Sequence, residues 1–248
     1  MTSPMVEPLA SGTLTREPPP TGPWRRAVVR EVTHPRPHAV VLRLEVPDRR
    51  PNLAGQHYIV RLRADDGYVA MRSYSLASAP SDPLVELYVE ELLDGEVSPY
   101  LAQFVQVGDE LEVRGPIGGW FVWEGDTPAV GLAGGSGVVP LVAMLRHARD
   151  IGARDRIQLA VSARTLAELP YADELVGAGS VVALSREVSA SGRPAGRLTA
   201  AEFQPLLNPD ATYYICGSAG FAAGASDLLM ALDVDPVQVR VERFGASG

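Results

Sequence analysis

A short segment in the first third of the chain carries residue types that can do chemistry. Residues 71–78 read MRSYSLAS, which places an arginine, a tyrosine and three serines in one strand-like run. A strand buried on one face alternates apolar and polar residues, and this run does not alternate cleanly. The segment therefore predicts a role beyond core packing.

A second candidate site is the glycine-rich turn GGSGVVP, residues 134–140. It follows a predicted strand and opens a predicted helix, where backbone N–H groups and a helix dipole can meet a pyrophosphate. Gly135 and Gly137 allow the backbone to approach closely, and Pro140 suits the first helical turn. A turn that needs glycine only for its own conformation would look the same, so this motif alone leaves both interpretations open.

Three arginines follow strands of the same predicted region: Arg164, Arg186 and Arg197. The carboxyl ends of successive parallel strands share one edge, so Arg164 and Arg186 are expected to converge there. Guanidinium forks match phosphate oxygens, and three of them suit the 2′-phosphate of an adenosine ribose. Solvated loop arginines would give the same pattern.

The single cysteine, Cys216, lies in CGS at the end of another predicted strand. No histidine adjoins it, so a small buried side chain is predicted rather than an activated nucleophile. One cysteine excludes a disulfide framework and a cysteine-rich zinc site, and it predicts no self-contained iron–sulfur cluster. The four histidines are scattered, so no metal site is predicted.

Two patterns of predicted elements position these segments. From Trp24 to about Val122, six β-rich runs alternate with turn residues, which predicts an antiparallel six-stranded β-barrel interrupted by one short helix in SPYLAQF. Strands then alternate with helices, which predicts a Rossmann-like parallel α/β domain. The predicted division is a disordered Pro-, Ser-, Thr- and Gly-rich tail over residues 1–22, the barrel over 23–125 and the α/β domain over 126–248.

The composition is typical of a soluble globular protein. Of the 248 residues, 46% are hydrophobic and 21% are charged. No apolar stretch approaches the roughly 18 residues of a membrane span, and the N-terminal residues lack the pattern of a secretory signal, so a cytoplasmic monomer is expected. A formal net charge of -8 argues against a nucleic-acid surface.

Together the two halves resemble the ferredoxin–NADP reductase superfamily, whose members join an FAD-binding barrel to a pyridine-nucleotide domain. The resemblance covers about residues 24–248. The R-x-Y-S segment of that family matches Arg72, Ser73, Tyr74 and Ser75 position by position. The resemblance implies that Arg72 pairs with the flavin pyrophosphate, that Tyr74 packs against the flavin ring system and that Ser75 donates toward flavin N5.

Two further segments of the first half match the family in order. GEVSPYL resembles the second flavin segment, which implies that Gly95, Val97 and Ser98 bind the pyrophosphate, with Ser98 as the N-cap of the following helix. A plain N-cap would look the same. GPIGGW resembles a G-P-x-G-x-F segment in which Trp120 replaces Phe. Trp120 therefore either contacts FAD or belongs to the core between the domains.

The second half adds three matches. GGSGVVP matches a G-x-G-x-x-P turn, and the arginines of SART, SRE and GRL, with Ser185, match members that recognise NADPH. NADPH is therefore favoured over NADH. CGS implies that Cys216 and Gly217 lie beside the nicotinamide. VERFG implies a polar role there for Glu242, and either flavin stacking or a core position for Phe244; the chain differs from plant-type members in continuing past that residue.

The resemblance implies an FAD-dependent oxidoreductase, with FMN less expected than FAD, in which NADPH passes a hydride from nicotinamide C4 to flavin N5. Ser75, Cys216 and Glu242 are the residues expected to act in the transfer. A separate protein would accept the electrons: a ferredoxin, a flavodoxin, a haem protein or another oxidoreductase subunit. Two alternatives stay open, a flavin reductase that uses flavin as a diffusible substrate and a regulatory module that binds nucleotide or flavin without turnover.

Overall fold

The computed structural model of the chain describes residues 22–92 and 94–244. The predicted tail lies outside these ranges except for its last residue. The strands are β1 (Arg25–Arg36), β2 (Ala39–Glu45), β3 (His57–Arg63), β4 (Val69–Ser75), β5 (Val85–Glu90), β6 (Glu110–Ile117), β7 (Ala129–Gly134), β8 (Ile157–Ala163), β9 (Val181–Leu184), β10 (Thr212–Ser218) and β11 (Val239–Phe244). The α-helices are α1 (Val97–Gln103), α2 (Val138–Asp150), α3 (Ala172–Gly177), α4 (Ala200–Phe203) and α5 (Ala219–Ala231).

The first six strands form an antiparallel barrel in the order β4-β3-β6-β1-β2-β5. Side chains alternate along each strand, so Val40, Leu42 and Leu44 of β2 share the inner face and are fully buried. A bridge between Leu76, just after β4, and Leu87 of β5 connects the two edge strands. The six-stranded barrel predicted from the sequence is confirmed.

The other five strands form a parallel sheet in the order β11-β10-β7-β8-β9. The central strand β7 is apolar along almost its whole length because helices cover both faces of the sheet. Helix α2 packs Leu141 and Leu145 on one face, while α5 packs Ala222 and Leu229 on the other. The predicted Rossmann-like domain is confirmed, and its strand order reverses at β7, where β8 lies on one side and β10 on the other.

Helix bounds follow the sequence closely, with one difference in the second half. The run VVPLVAMLRHARD forms α2 over its full length. The run LTAAEFQPLL forms only a short helix: α4 ends at Phe203 and a 3₁₀ turn follows through Leu206. Pro205 explains the break, because proline lacks the backbone N–H that the next helical hydrogen bond would need.

Residues 118–128 connect the two sheets, and their aromatic side chains pack into the junction. Trp123 is 1% exposed, and its indole N–H donates to the carbonyl of Thr127 at 2.8 Å. Phe121 lies edge-on to Tyr214 of the second sheet, with ring centroids 5.2 Å apart. Phe121 and Trp123 belong to the same core cluster as Met144 of α2. The two domains therefore share an apolar core on this side.

Candidate functional site

The R-x-Y-S segment lies on β4, an edge strand of the barrel. Residues two apart in a strand share a face, so Arg72 lies with Tyr74 and Ser73 lies with Ser75. The Arg72 guanidinium donates to the carbonyl of Met71 at 2.7 Å and forms no ion pair within the described ranges. Most of its N–H donors are therefore free to bind an anion.

Tyr74 and Ser75 place a ring and a hydroxyl at the end of the same strand. Tyr74 is half-buried and packs against the barrel core. Burial raises its pKa, and the charge of Arg72 opposes the shift, so the phenol is neutral. Ser75 is 8% exposed, and its hydroxyl makes no hydrogen bond to any residue that the structure describes. The hydroxyl is available as a donor to a ligand.

His57 is a candidate site residue that the sequence analysis missed. It lies on β3 directly opposite Ser75. Burial lowers the pKa of the imidazole, which is therefore neutral at pH 7. A Cβ added to Gly118 would lie 3.7 Å from its Nδ1, so the ring lies beside the segment after β6. Strand register brings His57 to Ser75, and no spacing in the sequence signals it.

The segment GEVSPYL, which resembles the second flavin-binding segment of the family, forms α1, but the N-cap of this helix differs from the prediction. The N-cap is Glu96, whose side chain makes no capping hydrogen bond, and the helix begins at Val97. Ser98 lies inside the first turn, and its hydroxyl accepts from the backbone N–H of Leu92 at 3.1 Å. The predicted N-cap role of Ser98 is wrong because Pro99 takes the third helical position, where its missing donor is equally harmless. Val97 is fully buried, so only its backbone can face a ligand.

Arg72 and the start of α1 are neighbours in space. Tyr68 donates from its hydroxyl to both carboxylate oxygens of Glu96 at 2.9 Å. This hydrogen bond raises the pKa of Tyr68, and the nearby charge of Arg72 opposes the rise. Gly95 permits the turn before the helix, since a Cβ there would lie 2.9 Å from Oγ of Ser98. The fold thus brings together the two segments that resemble flavin-binding segments, the one on β4 and the one at the start of α1.

The glycine-rich turn joins β7 to α2 at the carboxyl edge of the parallel sheet. Gly135 has a φ of 56°, which favours glycine, and a Cβ built there would meet nothing within 4 Å. A Cβ on Gly137 would lie 2.2 Å from the carbonyl oxygen of Cys216. Gly137 is therefore required by close packing of two strand ends, while Gly135 faces open space. Pro140 is buried at the third position of α2.

Arg164 and Arg186 meet at the carboxyl ends of β8 and β9. The backbone N–H of Arg186 donates to the carbonyl of Arg164 at 2.8 Å. Both side chains are exposed, as is Ser185. Arg164 forms a surface ion pair with Glu168 at 3.0 Å, whereas the Arg186 side chain has no partner in the described part of the chain. The structure therefore leaves Arg186 as the freer cation at this edge.

Arg197 lies in a loop that folds back onto the end of β9. The backbone N–H of Gly196 donates to the carbonyl of Leu184 at 2.9 Å. Arg193 holds the loop in shape: it donates to Glu202 at 2.5 Å and 3.0 Å and to the carbonyl of Arg197 at 2.8 Å. The exposed Arg197 side chain is thus kept near the same sheet edge as Arg186.

Cys216 and Glu242 lie opposite each other on β10 and β11. Burial raises the pKa of the Cys216 thiol, and the charge of Glu242 raises it further, so the thiol is neutral. Burial raises the pKa of Glu242 to about 7, and its Oε2 has no hydrogen-bond partner among the described residues. The pair can therefore hold or release one proton near neutral pH, at Glu242. Gly217, the next residue of β10, is buried.

The two remaining aromatic candidates lie in different surroundings. Phe244, opposite Ser218 at the end of β11, packs against the core cluster that contains Cys216. Trp120 is 60% exposed, which excludes the core position that was left open for it. Arg240 lies over its ring at 5.5 Å and donates to its carbonyl at 3.1 Å. Its neighbour Phe121 takes the core position instead.

Comparison with known proteins agrees with this architecture. Residues 29–122 match the oxidoreductase FAD-binding domain family. The FAD/NAD-binding domain of nitric oxide dioxygenase from Vibrio cholerae O1 biovar El Tor superposes with a TM-score of 0.78 at 26% identity, covering 89% of this chain and 98% of that one. The barrel therefore matches the FAD-binding domain of oxidoreductases, and the whole chain shares the two-domain fold of an FAD/NAD-binding domain.

Curated relatives that match the chain include a reductase subunit and a flavohemoprotein. It is 33% identical over 210 residues to the glycine betaine monooxygenase reductase subunit of Chromohalobacter salexigens, covering 78% of this chain and 56% of the relative. It is also 33% identical over 225 residues to a flavohemoprotein of Chromobacterium violaceum, covering 77% and 52% respectively. The chain thus spans about half the length of these relatives.

The residues on β4 fit an FAD group. A guanidinium without an ion-pair partner, a half-buried phenol and an unpartnered hydroxyl follow one another at Arg72, Tyr74 and Ser75. This donor set suits a pyrophosphate, an aromatic ring system and a polar ring nitrogen. Within the described ranges, no cluster of three or more acidic, histidine or cysteine side chains could hold a metal ion, and no helix is long and apolar enough to cross a membrane.

Proposed function

We propose that this protein is an FAD-dependent reductase that oxidises NADPH and delivers electrons to a separate redox protein. The observation that carries the proposal is the state of β4: Arg72 and Ser75 keep polar groups without partners, in a barrel of a family that binds FAD. Buried or half-buried polar groups normally find partners within the protein. Groups that do not are suited to a ligand.

Residues of the barrel bind and orient the flavin in this proposal. Arg72 binds the pyrophosphate, because a guanidinium fork matches phosphate oxygens. Tyr74 offers the face of its ring to the flavin, and its neutral hydroxyl adds no charge. Ser75 donates its hydroxyl hydrogen bond toward N5, and the neutral His57 beside it helps to exclude water from that edge. Gly95 and the backbone of Val97 form the turn next to Arg72. Ser98 stabilises this turn by accepting a hydrogen bond from the backbone N–H of Leu92.

The end of the second sheet supplies the groups that face the hydride donor. When bound, FAD accepts a hydride equivalent from a reduced nicotinamide and can release its electrons singly. Cys216 and Gly217 form the surface against which the nicotinamide lies, and Phe244 stays in the core beneath it. Glu242 holds a proton at its unpartnered Oε2 near neutral pH. In its protonated form the carboxyl is neutral, so it does not repel an incoming electron-rich group.

The choice of NADPH is a proposal that rests on the arginines at the far edge of the sheet. Gly135 and the N–H groups that begin α2 face the pyrophosphate, and Arg186, Arg197 and Arg164 surround the 2′-phosphate, with Ser185 as a neutral donor. Arg164 pairs with Glu168, whereas Arg186 and Arg197 form no ion pair with a carboxylate among the described residues. An anion with two charges gains most where cations are unpaired.

The acceptor is proposed from the relatives. One is the reductase subunit of a monooxygenase and another is a flavohemoprotein, which supports an oxygenase component or a haem protein as the acceptor, with a ferredoxin or flavodoxin as an intermediate carrier.

Gel filtration followed by a flavin count tests the enzyme class. The proposal predicts about one FAD for each chain and reduction of added one-electron acceptors in the presence of NADPH. A chain that emerges without flavin, yet reduces added free flavin with NADPH, would establish a flavin reductase instead. A chain that binds FAD but is reduced by neither nucleotide would establish the regulatory module.

A further inference from the structure

Glu86 is a buried carboxylate at the junction of the two domains. It lies on β5 of the barrel and is 5% exposed. Its Oε1 accepts from Arg146 at 2.9 Å and from Tyr171 at 2.8 Å, and its Oε2 accepts from Arg43 at 3.0 Å. Arg43 belongs to the barrel, but the other two donors belong to the second domain. Because a buried charge must be paired to be tolerated, Glu86 marks a specific docking point.

Arg146 connects this docking point to the end of the R-x-Y-S segment on β4. It lies on α2, the helix that begins at the glycine-rich turn, and it donates to the carbonyl of Ala77 at 3.0 Å. Ala77 is two residues beyond Ser75, and its backbone N–H donates to the carbonyl of Glu86 at 2.9 Å. The other side of the same guanidinium binds Glu174 of α3 at 3.1 Å and 2.5 Å. One side chain thus joins two helices of the second domain to the end of β4.

Tyr171, which donates to Glu86, has an unfavourable backbone conformation. Its φ of 55° is in the left-handed region, which is unusual for a bulky aromatic residue. Its ring lies 5.0 Å from the guanidinium of Arg146 and 5.7 Å from the ring of Tyr88 on the barrel. Backbone strain of this kind persists where the surroundings fix the residue, and it occurs often at functional positions.

Polar contacts hold this side of the junction together with a small apolar cluster, in which Val139 of α2 packs with Ala77 and Tyr88 of the barrel. A cleft of about 340 Å³ opens beside them, lined by residues of both domains. The apolar core of Phe121, Trp123 and Met144 keeps the domains attached elsewhere. Loss of Arg146 should therefore change how the domains are aligned without separating them.

We propose that Arg146 is a positioning residue that aligns the nucleotide-binding domain with the flavin-binding barrel by fixing α2 to Glu86 and to the backbone after Ser75. The proposal rests on the proposed function. Arg146 touches neither candidate cofactor site; it sets the distance between them. Misplacement of reacting groups by about 1 Å can lower a rate by about 100-fold, so alignment should appear in the rate of flavin reduction.

The test compares Arg146→Met with Arg149→Met. In R146M, Glu86 keeps Arg43 and Tyr171, and Glu174 keeps Arg149, which donates to it at 3.1 Å. No buried charge is left alone, so the variant should fold. Arg149 lies on the same helix and binds Glu174, but no hydrogen bond joins it to the barrel in the described structure. It is therefore a matched control for the loss of one arginine from α2.

Anaerobic rapid mixing with NADPH gives the first readout. R146M is expected to lower the limiting rate of flavin reduction by about 10- to 100-fold, while the flavin content and the dissociation constant for NADPH change by less than about threefold. R149M should leave all three values near those of the wild-type protein. Arg146→Lys keeps the charge but cannot form the same fork, so it should recover only part of the rate. A full rate in R146M would overturn the proposal.

Hydrogen exchange gives a readout that does not depend on turnover. The amides of residues 75–79 and 171–177 should exchange faster in R146M than in R149M, because only the former variant loses the hydrogen bonds that join α2 to Glu86 and to the carbonyl of Ala77. Equal exchange in the two variants would overturn the docking role itself. A wild-type protein that neither NADPH nor NADH reduces would overturn the proposed function and the catalytic part of this proposal, and it would leave the exchange result to decide the docking role.

Discussion

Arg72 carries a charge that is available to a ligand. Its guanidinium donates to one backbone carbonyl and forms no ion pair in the described part of the chain. Because a charge-assisted hydrogen bond contributes roughly 1.5–3 kcal/mol, Arg72→Ala should weaken FAD binding by about 10- to 100-fold. Titration of the flavin-free protein with FAD measures this. Arg63→Ala, at an exposed position on β3, is the control, and equal affinity of both variants would contradict the assignment.

Glu242 predicts a dependence of stability on pH. Burial raises its pKa from 4.5 to about 7, so the folded state favours the protonated form and the protein loses stability as pH rises through this interval. Glu242→Gln removes that loss. At pH 8 the variant should be more stable than the wild-type protein by on the order of 2 kcal/mol, and at pH 4 the difference should vanish.

Chemical denaturation at the two pH values measures the effect of Glu242. Glu124→Gln replaces an exposed carboxylate and serves as the control. A stability difference for Glu242→Gln that is the same at pH 4 and pH 8 would show that the carboxyl of Glu242 does not have a raised pKa.

Strand ends gather the residues that are proposed to recognise the nucleotide. The ends of β8 and β9 bring Arg186 next to Arg164, and Arg186 has no side-chain partner among the described residues. Arg186→Gln should therefore weaken NADPH binding by at least about 10-fold and leave NADH binding unchanged. Steady-state KM values for both nucleotides measure this preference. Arg156→Gln, just before the amino end of β8, should change neither value, and equal losses for NADPH and NADH in Arg186→Gln would contradict the assignment.

Elements were easier to predict from the sequence than the contacts between them. The β-rich runs and the apolar run of α2 could be assigned to strands and a helix from the sequence, because strand and helix periods are local. The pairing of His57 with Ser75 depends on strand register, and the glycine at residue 137 is explained only by the approach of Cys216 from a distant strand. Local ambiguity also matters: Pro99 was compatible with either of two helix starts, so the position of Ser98 could not be fixed.

At the scale of the whole molecule, the least predictable feature is the junction between the domains. Each of its charged residues reads as an ordinary surface residue in the sequence, since a β-strand glutamate such as Glu86 and a helical arginine such as Arg146 are usually solvated. Only the packing of the two sheets makes Glu86 a buried carboxylate with donors from both domains. The motifs therefore predict FAD and NADPH as cofactors, whereas the alignment of the domains is visible only in the structure.

The central claim is that this chain passes electrons from NADPH to a bound FAD. The most direct measurement is the visible spectrum of the aerobically purified protein, followed by anaerobic mixing with NADPH or NADH while flavin absorbance is recorded. The account predicts a bound-flavin spectrum that NADPH bleaches rapidly and NADH bleaches more slowly. A colourless protein that cannot bind added FAD, or a bound flavin that neither nucleotide bleaches, would contradict it.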